Sequence, residues 1–219
     1  MPELNKYDLK FCVRRLPAVL RDLLKKEDIS VAGGYIRATI TSEKVNDVDL
    51  FISDKSKVDS WALSLADDDR KNLYITGNAT TVKNLSVPVQ FITRWVYAAP
   101  EDILGSFDFT ICQAAFWWDR ALKSWKSACS EDFYPDLAAK RLTYTNPVRE
   151  EEPGGSMIRI LKYYQRGYKI PLNDLASVVT RLHSGVRDPS INLERYRTLI
   201  RGLLYEVDPN TDPDHIVQE

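Results

Sequence analysis

The stretch SVAGGYIRATITSEKVNDVDLFISD, Ser30 to Asp54, decides the fold of this chain. Ile29-Ser30-Val31-Ala32 reads as a short buried strand and Gly33-Gly34 as a sharp turn. Tyr35 to Ile40 opens a helix, and Asp47-Val48-Asp49-Leu50-Phe51-Ile52 reads as a second strand. Side chains alternate along a strand, so Asp47 and Asp49 emerge on one face, with Val48, Leu50 and Ile52 alternating around them. Two like charges so placed need a counter-ion. Magnesium takes hard carboxylate oxygens together with phosphate oxygens, and two such ions roughly 3.5–4 Å apart suit in-line displacement at phosphorus. The glycines fit the same chemistry, because a turn without Cβ atoms lets backbone N–H groups approach a triphosphate at a helix N-terminus.

Gly33, Gly34, Asp47 and Asp49 match, in order and spacing, a Gly-Gly or Gly-Ser pair followed after a gap by Asp-x-Asp on the next strand. The segment therefore resembles the DNA polymerase β-like nucleotidyltransferases. Gly33-Gly34-Tyr35-Ile36-Arg37 looks most like the Gly-Gly-x-Val-Arg-Asp motif of CCA-adding enzymes and bacterial poly(A) polymerases, with Ala38 where their aspartate stands. Arg37 carries over from that motif; the acidic partner does not. The resemblance implies an α+β fold, a mixed sheet flanked by helices and followed by a small helical region. It also implies magnesium-dependent transfer of a nucleoside monophosphate from an NTP to an acceptor hydroxyl. In that chemistry Asp47 and Asp49 hold two Mg2+ ions, Gly33 and Gly34 cradle the β- and γ-phosphates, and Arg37 neutralises the leaving group. The plain alternative is that Gly33-Gly34 is a βα turn and Asp47-Val48-Asp49 a solvated edge strand.

Such enzymes usually carry a third carboxylate, and two positions compete for it. Val87 to Ile92 fills the slot where relatives show an acid between apolar residues, yet the residue here is Gln90. An amide reaches a metal through its carbonyl but brings no charge. Ser106 to Cys112 reads as the start of the next strand, with Asp108 between two phenylalanines. Burying an unpaired acid there is costly, which marks Asp108 as the third metal ligand and the group that orients or deprotonates the incoming hydroxyl. The competing role for Asp108 is a structural cap or ion pair.

A second resemblance lies further on. Asp136 to Leu142, then Met157 to Tyr168, look like the end of the head and the start of the neck in CCA-adding and poly(A) polymerase enzymes. Arg159, Lys162 and Arg166 fall on one helix face, set opposite Ile158, Leu161 and Tyr164. Arg159 and Lys162 are candidates for binding the triphosphate or a primer backbone. The alternative is an amphipathic helix whose charges face water.

The remaining features bound the function without fixing it. With 219 residues and a formal net charge of -1, no basic field advertises nucleic acid, so any RNA contact is a local patch. Cys12, Cys112 and Cys129 lack metal-ligand spacing and read as buried thiols of a reducing compartment. The absence of an apolar leader or a long apolar run leads to the expectation of a soluble, cytoplasmic protein with no membrane partner. Trp117, Trp118 and Trp125 either stack a base or pack on the sheet. Helices are expected over Tyr7–Lys26, Asp54–Lys71, Glu131–Arg141, Ser156–Arg166, Leu172–His183 and Leu193–Val207; strands over 72–76, 81–85, 87–95, 107–118 and 124–128. The expected organisation is a nucleotidyltransferase head over 1–146, a linker over 147–155, a neck-like helical region over 156–209 and a flexible tail over 210–219. The acceptor is first an RNA (tRNA) 3′ end, alternatively a protein or tRNA target of a compact toxin-type or phage-encoded transferase. A catalytically inactive member that binds nucleotide or RNA is the rival of a different kind, favoured by Gln90 and Ala38.

Overall fold

Pro17 sets the first departure from the sequence pattern. The helix read over Tyr7–Lys26 forms as two, α1 (Lys6–Arg15) and α2 (Ala18–Lys26). A residue before proline is driven out of the helical region, and Leu16 is extended at φ -64°, ψ 145°. Leu16, Leu20 and Leu24 all reach the core, at 2%, 0% and 0% exposure. Each such leucine contributes about 1.5–3 kcal/mol. The computed structural model describes residues 1–147, 154–184 and 193–205. They fall into two units: Met1–Phe107 with Ile111–Leu137, and Asp108–Thr110 with the chain from Ala138 onward. The expected linker over 147–155 belongs to the second unit, with 148–153 outside the described residues, as are 206–219, which include the expected tail.

In the first unit the chain continues through β1 (Ile29–Ala32), α3 (Gly34–Ile40), β2 (Val48–Ile52) and α4 (Val58–Leu65). Then follow β3 (Leu73–Ile75), β4 (Ala79–Val82), β5 (Val89–Ile92), a 3₁₀ stretch Pro100–Ser106, β6 (Ala114–Asp119), β7 (Ser124–Cys129) and α5 (Phe133–Ala139). The strands make one mixed sheet in the order β3-β4-β5-β2-β1-β6-β7. Only β2 and β5 run parallel; the other neighbours are antiparallel. This is the expected α+β architecture.

The two faces of the sheet differ. Leu50 and Phe91 are in register, and the Phe91 ring stacks on Trp61 of α4 at 6.2 Å, which defines a helix-covered face. On the same face Val31 pairs with Phe116, whose ring meets Tyr35 of α3 at 6.5 Å. The opposite face carries Ala32, Phe51, Ala115 and Ala128, closed by Ile103 and Leu104 of the 3₁₀ stretch. Trp117 packs at the edge of that cluster, and Trp118 and Trp125 meet edge to face at 5.3 Å, so all three are committed to sheet packing.

The strand expected from Phe107 to Trp118 begins only at Ala114. Residues 108–110 pair elsewhere: the Thr145 N–H donates to the Asp108 carbonyl at 3.0 Å, and the Thr110 N–H donates to the Thr143 carbonyl at 3.2 Å. The second unit is built on that pairing, with Phe109 bridged to Tyr144. It adds α6 (Gly155–Gln165), α7 (Leu172–Ser184) and α8 (Leu193–Tyr205). Its core gathers Phe109, Tyr144, Tyr163 and Tyr168, with ring centroids 5.8 to 5.9 Å apart. The buried face of α6 is therefore Ile160 and Tyr163, while Leu161 and Tyr164 are exposed, at 39% and 69%. That corrects the apolar face inferred from sequence, which had placed Leu161 and Tyr164 inward.

Cys12, Cys112 and Cys129 are buried thiols, as expected. Burial is the main cause that pushes the Cys12 thiol up to about 12, and it raises Cys129 as well, so neither forms thiolate near neutrality. A water-soluble disulfide reagent at pH 7 should leave all three unmodified in the native protein and label all three after denaturation. Native labelling of any of them at the rate of an exposed thiol contradicts this packing.

Candidate nucleotide and metal site

The site begins with one turn. Val31 pairs with Leu50, so the chain leaves β1 at the end of the sheet where β2 enters beside Asp47. Gly33 adopts φ 80°, ψ -133°, a backbone region that side chains exclude. Its N–H donates to the Ala114 carbonyl at 3.0 Å, which ties the turn to β6. A Cβ on Gly33 would sit 2.7 Å from the Phe107 ring. A Cβ on Gly34 would meet nothing within 4 Å. Gly33 is thus required by the fold, whereas Gly34 leaves its backbone approachable.

The two aspartates stand beside this turn. Asp47 precedes the first residue of β2 and Asp49 is its second; both are half-buried, while Val48 and Leu50 between and beyond them are 1% and 0% exposed. The alternation read from sequence is therefore present, and it puts Asp49 on the face away from α4. Gln90 is the register partner of Asp49 across the parallel β2–β5 pair. Thr81 is the partner of Gln90 one strand further. Asp49, Gln90 and Thr81 make a polar row across three strands.

Arg37 occupies a different setting from the one its motif implied. It is 3% exposed, and its Nη1 lies 3.2 Å from Oε2 of Glu43. The Glu43 N–H also donates to the Ala38 carbonyl at 2.9 Å. This pair fastens α3 to the loop that delivers Asp47. Glu43 was not singled out from sequence, because it lies past the helix end, where no periodic spacing links it to Arg37.

In the second unit Asp108 is 7% exposed, and Arg159 Nη1 of α6 lies 2.7 Å from its Oδ2. Two residues read separately from sequence are brought together as an ion pair, the role weighed against metal binding for Asp108. Lys162 lies one turn further along α6 and is half-buried.

Among the described residues no group of three or more His, Cys, Asp or Glu side chains gathers as a metal site. Asp47, Asp49 and the Gln90 amide offer hard oxygens in the first unit. Hard oxygens in that number suit magnesium, which keeps several waters and fills its shell with phosphate oxygens. No described helix is long and apolar enough to cross a membrane.

These features define the class: the chain has the nucleotidyltransferase fold of CCA-adding enzymes. A CCA-adding enzyme complexed with ATP superposes with a TM-score of 0.62 at 16% identity, over 93% of this chain and 50% of that one. The Thermotoga maritima CCA-adding enzyme complexed with tRNA gives 0.58 at 16% identity, again over 93% and 50%. A tRNA-processing enzyme with CTP gives 0.56 at 19% identity, over 82% and 47%.

Within that fold the chain belongs to the Gabija anti-defense 2 family, whose model matches residues 4–140. It is 26% identical over 163 residues to Gabija anti-defense 2 of Bacillus phage SPbetaL7, covering 73% of this chain and 38% of that protein. The chain thus spans little more than a third of that phage relative and about half of these structural neighbours.

The two glycines should respond differently to substitution. Gly33→Ala should destabilise the protein by about 1–3 kcal/mol from backbone strain alone, with more from the displaced Phe107 ring. Gly34→Ala should melt within a degree or two of wild type, on the scale of a substitution without large effect. Thermal unfolding followed by circular dichroism gives the comparison, and equal melting temperatures for the two variants contradict the turn geometry.

Proposed function

We propose that this chain is a magnesium-dependent nucleotidyltransferase that transfers a nucleoside monophosphate from an NTP to an acceptor hydroxyl and releases pyrophosphate. The observation that carries the reading is the meeting, at one end of one sheet, of an approachable glycine turn with Asp49 on β2 and Asp47 just before it. Asp47 and Asp49 would hold the metal, with the Gln90 carbonyl beside Asp49. Bound magnesium supplies charge neutralisation for the triphosphate and for the in-line displacement. The open backbone at Gly34 receives the β- and γ-phosphates. The buried Arg37–Glu43 pair acts through the loop, holding Asp47 in place, rather than at the leaving group. Arg159 and Lys162 belong to the second unit, and their candidacy for phosphate rests on the sequence resemblance alone.

Membership of the Gabija anti-defense 2 family supports the phage-encoded reading of the acceptor. The hydroxyl then belongs to an RNA or protein on which Gabija defence depends, with an RNA 3′ end the alternative favoured by the structural neighbours. A second reading has its own observation. Gln90 stands where relatives show an acid and is the immediate neighbour of Asp49, as an inactive nucleotide-binding member would have it.

Asp47→Asn and Asp49→Asn should each remove pyrophosphate release from NTP and magnesium in the presence of cell extract, without lowering the melting temperature. The loss corresponds to roughly 2.7–4 kcal/mol of transition-state stabilisation. Gln90→Ala and Asp108→Asn decide the remaining ligand. A loss with Asp108→Asn as deep as with Asp47→Asn assigns it to the ion, and a mild effect leaves it to its Arg159 pair. NTP binding with no Asp49-dependent pyrophosphate from any of the four NTPs overturns the enzyme in favour of the binding module.

A further inference from the structure

The outward face of α1 is a feature that the proposed chemistry leaves unused. Its sequence, KYDLKFCVRR, places Lys6, Lys10 and Arg14 on one stripe and Tyr7, Phe11 and Arg15 on the next. At 3.6 residues per turn these six positions span about half of the helix circumference. All six are exposed. The other half faces inward through Cys12 and Val13. The helix is held in that orientation: the Tyr35 hydroxyl donates to the Cys12 carbonyl at 2.8 Å, and the Arg21 guanidinium donates to the carbonyls of Arg14 and Leu16.

The arc is positive and aromatic at once. Its one acid, Asp8, lies off the arc and accepts the Tyr134 hydroxyl at 2.8 Å. Tyr7 is 70% and Phe11 43% exposed. A cation accompanies each ring, Lys6 Nζ at 5.1 Å from the Tyr7 centroid and the Arg15 guanidinium at 5.5 Å from that of Phe11. Arg14 and Arg15 also complement the C-terminal end of the helix dipole, but Lys6 in the first turn opposes it. Helix electrostatics therefore do not account for the whole set, and in a chain of net charge -1 the concentration is local.

We propose that this face of α1 binds single-stranded nucleic acid. Phosphates would lie along Lys6, Lys10 and Arg14, and unstacked bases would lie on Tyr7 and Phe11. Charge complementarity selects an anionic polymer, and the exposed rings select one whose bases are open. A membrane-surface helix turns a continuous apolar face to the lipid, whereas here the apolar face is spent on the protein core. The proposal stands apart from the chemistry of Asp47 and Asp49, because binding is read without turnover.

Fluorescence anisotropy of the full chain with labelled single-stranded RNA and DNA, a duplex, polyglutamate and anionic vesicles tests it. Tyr7→Ala and Phe11→Ala should each weaken single-strand binding by about five- to 150-fold, with duplex binding little changed. Lys10→Gln with Arg14→Gln should weaken every anionic polymer and reduce the salt slope by about 0.7 per cation removed. Asp49→Asn should bind as wild type does, which separates failure here from failure of the catalytic reading. The four substituted positions on α1 are exposed, and unchanged circular dichroism melts confirm folding. The proposal is overturned by no single-strand binding at low salt, by aromatic variants that bind as wild type does, or by ring-dependent binding to vesicles alone.

Discussion

The backbone of Gly33 is the constraint on which the site depends. At φ 80° and against the Phe107 ring it admits no side chain, and its N–H is anchored to β6. The turn it makes ends β1 beside the entry of β2, so one residue brings an approachable backbone and a strand of alternating carboxylates to the same place. Phe107 is itself fixed by a near-perpendicular contact with Phe51 at 5.8 Å, two residues beyond Asp49. The turn, the aromatic beneath it and the carboxylate strand form one packed assembly. A ligand binding there meets geometry already paid for by the core.

Charge in the two units is organised around that logic. Under the proposed function a cation would offset the repulsion between the half-buried Asp47 and Asp49, and the neutral Gln90 beside Asp49 would add an oxygen without adding charge. Two buried charges have named partners among the described residues, Arg37 in Glu43 and Asp108 in Arg159. Such pairs are weak evidence for stability, since desolvation offsets much of their attraction, but each fixes a segment. The first fixes the loop leading to Asp47. The second fixes the start of α6 to residues 108–110 within the second unit.

The sheet, the glycine turn and the alternation around Asp49 were legible because their signals are local. A strand's period of two and a glycine pair need only neighbouring residues to be read. Part of what sequence missed was set by partners distant along the chain. The break at Leu16 follows from Pro17, a local signal. The segment around Asp108 has strand composition, but its backbone pairs with 143–145, more than thirty residues away. The inward face of α6 was misassigned because Tyr163 turns in against Phe109, more than fifty residues earlier, and against Tyr168. Arg37 kept its motif position while losing the motif's acid, and only the folded loop shows Glu43 in its service.

The account turns on which phosphorus of the nucleotide moves. Incubating the full chain with magnesium, cell extract and each NTP, labelled in turn at the α- and the γ-phosphorus, reads this directly. A nucleotidyltransferase leaves the α-label on a macromolecule and the γ-label in pyrophosphate, and neither is produced when Asp49 is replaced by asparagine. Transfer of the γ-label to the acceptor, or of no label at all while NTP remains bound, contradicts it.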